Sequence, residues 1–591
     1  MAMSHQAHLR ICVAAMLIPV VLGILAQLLL VSKRDLRTGL IVWVIALAAF
    51  IFLARSLSRQ KARVKSLPEK ITARMEIALC LLVLAVGAFF ILYKIGSIPP
   101  GLNHDAAWEG LLAIQIIQEG KYVPFVAAGW GYETMFQYII ALNHALIGPQ
   151  KFAVQLAAIM VGISTLVTFL VFMRRLVGAP TAIIATLLLG VNGWHMTFSR
   201  LGWRAILVPL FICLVFFFLV KAIEKRRMRD FLLAGIALGL SIGTYGAARM
   251  IPFMVGAYLL YEFVREPHLF RTSYKGLLVF AIAALVAFAP LGWYALNHWN
   301  LFASRSEYLF IGNQIQQIGT LDPLFANIKS ALLAFNYKGN GDDFFITEPL
   351  LDSPVSVFFI FGLAIALARW RQRPYFLILT ILMLTLTVGI LSKPNGNHII
   401  GAIIPVVACA GISLNEAWRW ARIAWPAQKK QIACVFVLVL VSTAYITYDS
   451  YLGPNRRTQW GHYPEATRVG TYMGGIANEY EIHVAAGNWP RETLKYLTYP
   501  GSGDPFTPIF TYTTNATELL THTTSAEKGT AFIIEAVPEN KPVFEALSQQ
   551  FAESRRENVY YGDKHVAHVL LIPPRASAEV ATAEQNKRFI Y

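Results

Sequence analysis

Pro99-Pro100-Gly101-Leu102-Asn103-His104-Asp105-Ala106-Ala107-Trp108-Glu109-Gly110 interrupts a chain otherwise dominated by apolar runs. Pro-Pro-Gly ends the preceding helix, and Asn103 caps the next, a short amphipathic segment over 105–119. On a helix Asp105 and Glu109 stand four residues apart and share a face. Only 34 of 591 residues are acidic, so a pair placed just beyond an apolar run marks a candidate site. The simpler reading is that Asp105 complements the helix dipole.

Outward from this stretch, composition sets the class. The chain is 56% hydrophobic and 14% charged, against about 25% charged in soluble proteins. Apolar runs lie at 11–31, 38–54, 75–95, 151–173, 180–198, 203–221, 231–247, 250–264, 276–296, 354–369, 374–391, 398–417 and 430–449. They predict a polytopic α-helical membrane protein with about thirteen transmembrane helices. The first run shows no small-residue cleavage site and is expected to stay as a span. Residues 134–147 are apolar but, at ~14 residues, too short to cross, and read as an interfacial or re-entrant helix.

The net charge of +17 sits in short loops between spans, which is a membrane pattern and not a nucleic-acid groove. Cys12, Cys80, Cys213, Cys409 and Cys434 all fall in apolar runs without a CxxC pair. Neither a thiolate metal site nor a disulfide framework is indicated.

Lys and Arg orient the spans. With the N-terminus cytoplasmic, Arg55 to Arg74, Arg174-Arg175, Lys225-Arg226-Arg227, Arg369 to Arg373 and Arg419 to Lys430 lie inside; Lys33, Arg34 and Arg37 are left outside. The outer face then collects the loops 96–150 and 297–353, the turns at 199–204, 244–249 and 392–398, and the tail. Three parts follow: 1–74, two extra N-terminal helices and a cytoplasmic loop; 75–449, the main transmembrane domain; 450–591, an extracytoplasmic soluble α/β domain. In the tail, strands are expected at Glu481–Ala486, Pro508–Thr513, Thr530–Ala536 and Val566–Ile572, with a helix over Val543–Glu553. The predicted spans hold almost no ionisable residue away from their ends, which favours chemistry at one interface over ion-coupled transport.

Several outer segments together resemble the GT-C glycosyltransferases, in the family 39-like branch that uses polyprenyl-phosphate sugars and includes the protein O-mannosyltransferases and the lipid A aminoarabinose transferase. They are Asn103 to Gly110; Gly131-Tyr132-Glu133-Thr134-Met135-Phe136-Gln137-Tyr138; Trp194-His195 with Ser199-Arg200-Leu201-Gly202-Trp203-Arg204; Gly243-Thr244-Tyr245-Gly246-Ala247-Ala248-Arg249; and Asn397 to Pro405. The ordered set spans roughly 75–420. The resemblance implies a GT-C fold and a sugar transfer from a polyprenyl-phosphate donor to a lipid, cell-wall glycan or protein hydroxyl at the outer face of the membrane; the high basic content, short loops and lack of an indicated disulfide point to a bacterial cytoplasmic membrane. It implies Asp105 as the general base. Many relatives carry Asp-Glu where this chain has Asp105-Ala106, so Glu109 is a candidate second carboxylate. Glu133 matches an acidic position that binds a metal or positions substrate in some relatives. His398 stands where many relatives have Arg.

The chemistry asks for few parts. An acceptor hydroxyl must lose a proton as it attacks the anomeric carbon, and a carboxylate can take it. The leaving phosphate needs cations or donors, for which Arg is best suited. Arg200, Arg204 and Arg249 are the candidates, with Tyr245 and His398, and a divalent metal held by Glu133 and His398 is a further candidate. Each Arg also fits a simpler role as an anchor among lipid headgroups. His104 and His195 show no paired ligand spacing, and Asp342, Asp343, Glu348 and Asp352 read as loop acids. Trp130, Trp203 and Trp293 fit an interfacial belt as well as sugar stacking. The rivals are a flippase or transporter of a lipid-linked substrate and an inactive scaffold; a transferase of whole oligosaccharides lacks support, as there is no Trp-Trp-Asp run.

Overall fold

The structure is a computed structural model that describes residues 5–32, 35–61, 72–120, 123–127, 131–339, 349–453, 463–525 and 527–574. It has the GT-C fold expected from the sequence, a bundle of long apolar helices with a C-terminal sheet domain. Among the described residues ten helices are long and apolar enough to cross a membrane. An eleventh span is broken: Ala179–Gly190 and Gly193–Leu201 meet at 57°. The break falls at Asn192, whose side chain accepts from the His195 N–H at 3.1 Å and so caps the second half.

Two expected spans form short helices. The run 231–247 becomes Met228–Ser241, 14 residues and shorter than drawn, and 354–369 becomes Ser353–Ala368, 16 residues as drawn. The first ends where Thr244-Tyr245-Gly246 turns the chain. It packs on Phe270–Asn297 at very close range: a Cβ at Gly235 would lie 2.2 Å from the Phe280 carbonyl oxygen, and one at Gly239 2.3 Å from that of Ala284. Small residues allow this backbone approach in lipid, where apolar burial between helices provides little drive. The helix Met135–Ile147, 13 residues, stays short as expected. The N-terminal helices pack on Ser353–Ala368, with Phe50 stacked on Phe361 at 4.5 Å and buried Gln27 and Asn336 exchanging hydrogen bonds.

Charges gather at the two ends of the bundle. At one end Arg174 pairs with Glu76 at 2.5 Å, Arg373 with Glu262 at 2.6 Å, Lys221 with Asp230 at 2.8 Å and Arg369 with Glu416 at 3.1 Å, and Arg175 meets Glu224. These residues flank the loops expected to be cytoplasmic. The opposite end carries Glu109 with Arg204 and Glu133 with Arg249, and the C-terminal domain packs there.

A two-residue ribbon, β1 (Phe125–Val126) with β2 (Tyr132–Glu133), lies in the first outer loop. The C-terminal domain holds β3 (Tyr480–Ala485), β4 (Phe510–Thr513), β5 (Gly529–Glu535), β6 (Arg555–Tyr561) and β7 (Lys564–Ile572), in sheet order β4-β3-β5-β7-β6. The two pairings from β4 through β3 to β5 are parallel, and the two from β5 through β7 to β6 antiparallel. Every residue of β5 is buried: Ala531 and Ile533 face one core, Phe532 and Ile534 the other. Four of the five strands coincide with sequence expectations, and the expected helix forms over Lys541–Gln550. The fifth strand, β6, reads Arg-Arg-Glu-Asn-Val-Tyr-Tyr; it is an edge whose charges mask the strand pattern.

Candidate active site

Asn103 accepts the Asp105 N–H at 2.8 Å and starts the helix His104–Glu119, which Gly120 closes at φ +60. Asp105 and Glu109 therefore share a face, in different surroundings. The Asp105 side chain is 27% exposed, with His104 Nε2 at 3.5 Å. Glu109 is fully buried. Arg204 Nη1 donates to it at 2.5 Å, and Gln137 Nε2 donates to its other oxygen. Burial pushes the Glu109 carboxyl up to about 7; Arg204 opposes the rise, Asp105 adds to it and Arg305 opposes it. Arg204 is itself held among aromatic faces, 4.1 Å from the Tyr132 ring and 4.8 Å from the Trp203 ring. Trp203 is thus a buried partner of Arg204. Trp293 is 71% exposed on its helix, and Trp130 lies outside the described residues.

Glu133, at the end of β2, is buried and accepts from Arg249 Nη2 at 2.8 Å. Arg249 also donates to Ser306 Oγ at 3.0 Å and lies 4.0 Å from the Phe302 ring. Beside it opens a cavity of about 260 Å³ with a mixed cationic and apolar lining. Arg249, Arg305, His398, Tyr245 and Ser306 line it together with Phe253, Leu309, Phe310 and Leu391. His398 Nδ1 is 2.8 Å from the Lys393 carbonyl oxygen, which can only accept, so Nδ1 carries the proton. The Tyr245 hydroxyl is buried without a hydrogen-bond partner among the described residues.

Arg305 was absent from the sequence-derived set. It sits on Trp299–Leu309 within the loop 297–353, and no ion pair or hydrogen bond engages it among the described residues. Its signal was one basic residue in a long outer loop, without a motif around it. Arg200, by contrast, leaves the phosphate set. Its guanidinium donates to the carbonyls of Phe90, Ile91, Tyr93 and Ile98 at 2.6–2.9 Å. It closes the C-terminal end of Ala73–Leu92, whose last carbonyls lack helical partners. Arg204 is likewise turned to Glu109 and aromatic rings rather than lining the cavity.

His195 is fully buried, with neither ring nitrogen hydrogen-bonded among the described residues. Asp352 accepts from Thr447 Oγ1 at 2.7 Å, and burial raises its carboxyl to about 6. Asp342, Asp343 and Glu348 lie outside the described residues. Among the described residues no three His, Cys, Asp or Glu side chains come together as a metal site. Glu133 Oε1 accepts from Arg249, and His398 Nδ1 lies against the Lys393 carbonyl.

Residues 134–294, from the interfacial helix to the end of Phe270–Asn297, match the family described as dolichyl-phosphate-mannose-protein mannosyltransferase. The crystal structure of ArnT from Cupriavidus metallidurans bound to undecaprenyl phosphate superposes with a TM-score of 0.55 at 15% identity, covering 85% of this chain and 98% of that one. The Archaeoglobus fulgidus oligosaccharyltransferase in its apo form gives a TM-score of 0.48 at 13% identity, covering 74% and 65%. No curated protein sequence matches.

Proposed function

We propose that this multi-pass membrane protein is a glycosyltransferase that moves a sugar from a polyprenyl-phosphate donor to an acceptor hydroxyl at the outer face of the cytoplasmic membrane. One observation carries the proposal: Tyr245, Arg249, Arg305 and His398 line one cavity together with Phe253, Leu309, Phe310 and Leu391. A lipid phosphate needs that pairing of surfaces, with cations at the head and hydrocarbon along the tail. The likeness to ArnT, whose structure holds undecaprenyl phosphate, supports the same class of donor here.

The roles follow from position. Asp105 takes the acceptor proton as the acceptor oxygen bonds to the anomeric carbon. The bond from that carbon to the phosphate oxygen breaks on the opposite side, with inversion. The polyprenyl phosphate leaves with the electron pair, and the proton on Asp105 passes to water. Arg249, Arg305, His398 and Tyr245 bind the phosphate and stabilise its growing charge. Glu133 holds Arg249 in place. Glu109, saturated by Arg204 and Gln137, positions Arg204 and Tyr132 instead of acting as a second base.

The test is sugar transfer by purified protein, with Asp105→Asn against wild type over a panel of polyprenyl-phosphate sugars. Asp105→Asn keeps the shape and should lower turnover by about 10²–10⁴-fold with donor binding retained. Equal turnover in the two proteins would remove Asp105 as the base. A flippase would instead move the labelled lipid across vesicles without consuming it.

A further inference from the structure

We infer that the end of the bundle laced with Arg–Glu pairs binds an anionic phospholipid, between the N-terminal helix Leu36–Lys61 and the helices Ser353–Ala368 and Ile403–Ala424. A cavity of about 380 Å³ opens there. Phe50, Ile51, Ala364, Ile365 and Trp420 line it together with Arg55, Arg369 and Gln372. Position along the helices separates these residues by depth. Arg55 follows Phe50 by five residues and Ile51 by four; Arg369 follows Ala364 by five and Ile365 by four. At about 1.5 Å per residue, each arginine stands ~6–7.5 Å nearer the end of the bundle than its apolar neighbours. Arg55 lies at the end of the span Leu36–Ser56, and Arg369 directly follows Ala368. The cations therefore sit at headgroup level and the apolar residues at the depth of acyl chains.

The cavity keeps its positive charge. Among the described residues no carboxylate lines it. Glu416, close by, is shared between two arginines: it accepts from Arg369 Nη1 at 3.1 Å and lies 3.8 Å from Arg419. Arg369 Nη1 also donates to the Tyr375 hydroxyl at 2.9 Å. Arg369 Nε and Nη2 make no hydrogen bond, and Arg55 no ion pair, among the described residues.

A phosphodiester carrying acyl chains meets both halves of this lining, and basic pockets between membrane helices suit such headgroups. A soluble phosphate would meet the arginines and leave Phe50, Ile51 and Ile365 uncovered; a neutral lipid would do the reverse. Residues 62–71, next along the chain, carry Arg63, Lys65 and Lys70 against Glu69, the wrong charge for the occupant. The helix that holds Arg55 also exposes Val44 and Phe52 on its outer side, so the site borders the bilayer. The excess of Lys and Arg in the short loops puts this end at the cytoplasmic leaflet. The site is independent of the transferase reading.

The test titrates full-length protein in detergent with dioleoyl phosphatidylglycerol, dioleoyl phosphatidylcholine and glycerol phosphate, and counts bound adducts by native mass spectrometry. Phosphatidylglycerol should form one adduct at several-fold lower concentration than phosphatidylcholine. Arg55→Ala should weaken that adduct by about fivefold. Ala54→Phe, on the cavity wall, fills the space without touching a charge and should weaken it at least as much. Arg55→Lys keeps the charge and should retain most of the binding, which separates a lost contact from a damaged fold. Arg229→Ala removes an exposed charge at the same end but outside the cavity, and should bind like wild type. Equal adducts for the two lipids, or wild-type binding by both Arg55→Ala and Ala54→Phe, would overturn the site. Glycerol phosphate bound as tightly as phosphatidylglycerol would overturn the lipid as its ligand.

Discussion

Asp105 and Glu109 illustrate how burial divides the labour of two identical functional groups. Spacing puts them on one face, and only the surroundings tell them apart. Asp105 stays partly solvated, whereas Glu109 is enclosed with Arg204. A folded-state pKa of about 7, raised from 4.5, has a defined consequence. A raised acid contributes most to stability while it is protonated, and that contribution is lost as pH rises through the folded value. Wild type should lose thermal stability relative to Glu109→Gln between about pH 4.5 and 7, with no further difference in slope above. A melting series over pH 4–9 on both proteins reads this, and parallel curves would contradict it. Arg305 gives a second prediction at this scale. Arg305→Ala should raise the donor KM by about tenfold or more through loss of a charge-assisted bond to phosphate. Arg305→Lys should recover only part of it, because a point charge lacks the planar fork. Unchanged donor binding in Arg305→Ala would move the phosphate elsewhere.

At the scale of elements, helix ends set the geometry. Arg200 closes the end of Ala73–Leu92 with four carbonyl bonds and ties it to the start of the outer loop at Ile98. Arg200→Met should therefore cost about 3 kcal/mol or more in stability, since several buried carbonyls lose their partner. Turnover per folded molecule should hold. A fall in turnover without destabilisation would return Arg200 to the phosphate site. The close crossing at Gly235 and Gly239 gives the companion case. Gly239→Val places a branched side chain into the Ala284 carbonyl, and the melting temperature should drop sharply where Gly→Ala changes on open helix faces do not. The expected length of Met228–Ser241 differed from the observed one for a physical reason. Hydropathy continues through Tyr245-Gly246-Ala247-Ala248, but the chain turns there to bring Tyr245 and Arg249 into the site.

For the whole molecule, the decisive feature is polarity between its two ends. One end is laced with Arg–Glu pairs; the other holds the buried Glu109–Arg204 pair, the cationic cavity and the C-terminal domain. The domain docks through Arg491–Leu497 onto the Asp105 helix, where Tyr496 packs so near Gly110 that a Cβ there would lie 2.4 Å from its ring. The Tyr496 hydroxyl meets His144 Nε2 and the Gln150 carbonyl, each at 2.9 Å. Orientation by the positive-inside rule predicts that this end faces outward. A phosphatase reporter fused after residue 574 should be active and a cytoplasmic fluorescent reporter dark. The reverse pair of signals would invert the topology.

The amino-acid sequence by itself determined the class of molecule, most of the spans, four of the five strands of the C-terminal sheet and the sharing of one helix face by Asp105 and Glu109. Each of these depends on local periodicity and hydropathy, which act between near neighbours along the chain. It also pointed to Glu133, Tyr245, Arg249 and His398 through a resemblance in order and spacing. Only the tertiary structure decided which charges are spent on the fold and which are left for a ligand. Arg200, Arg204 and Arg305 are the same residue type near one end of the bundle. Their difference lies in four carbonyls from a helix end, one carboxylate enclosed by aromatic rings, and an open cavity. Such partners come from segments as far as 110 residues apart, and the desolvation that separates Glu109 from Asp105 exists only once those segments pack.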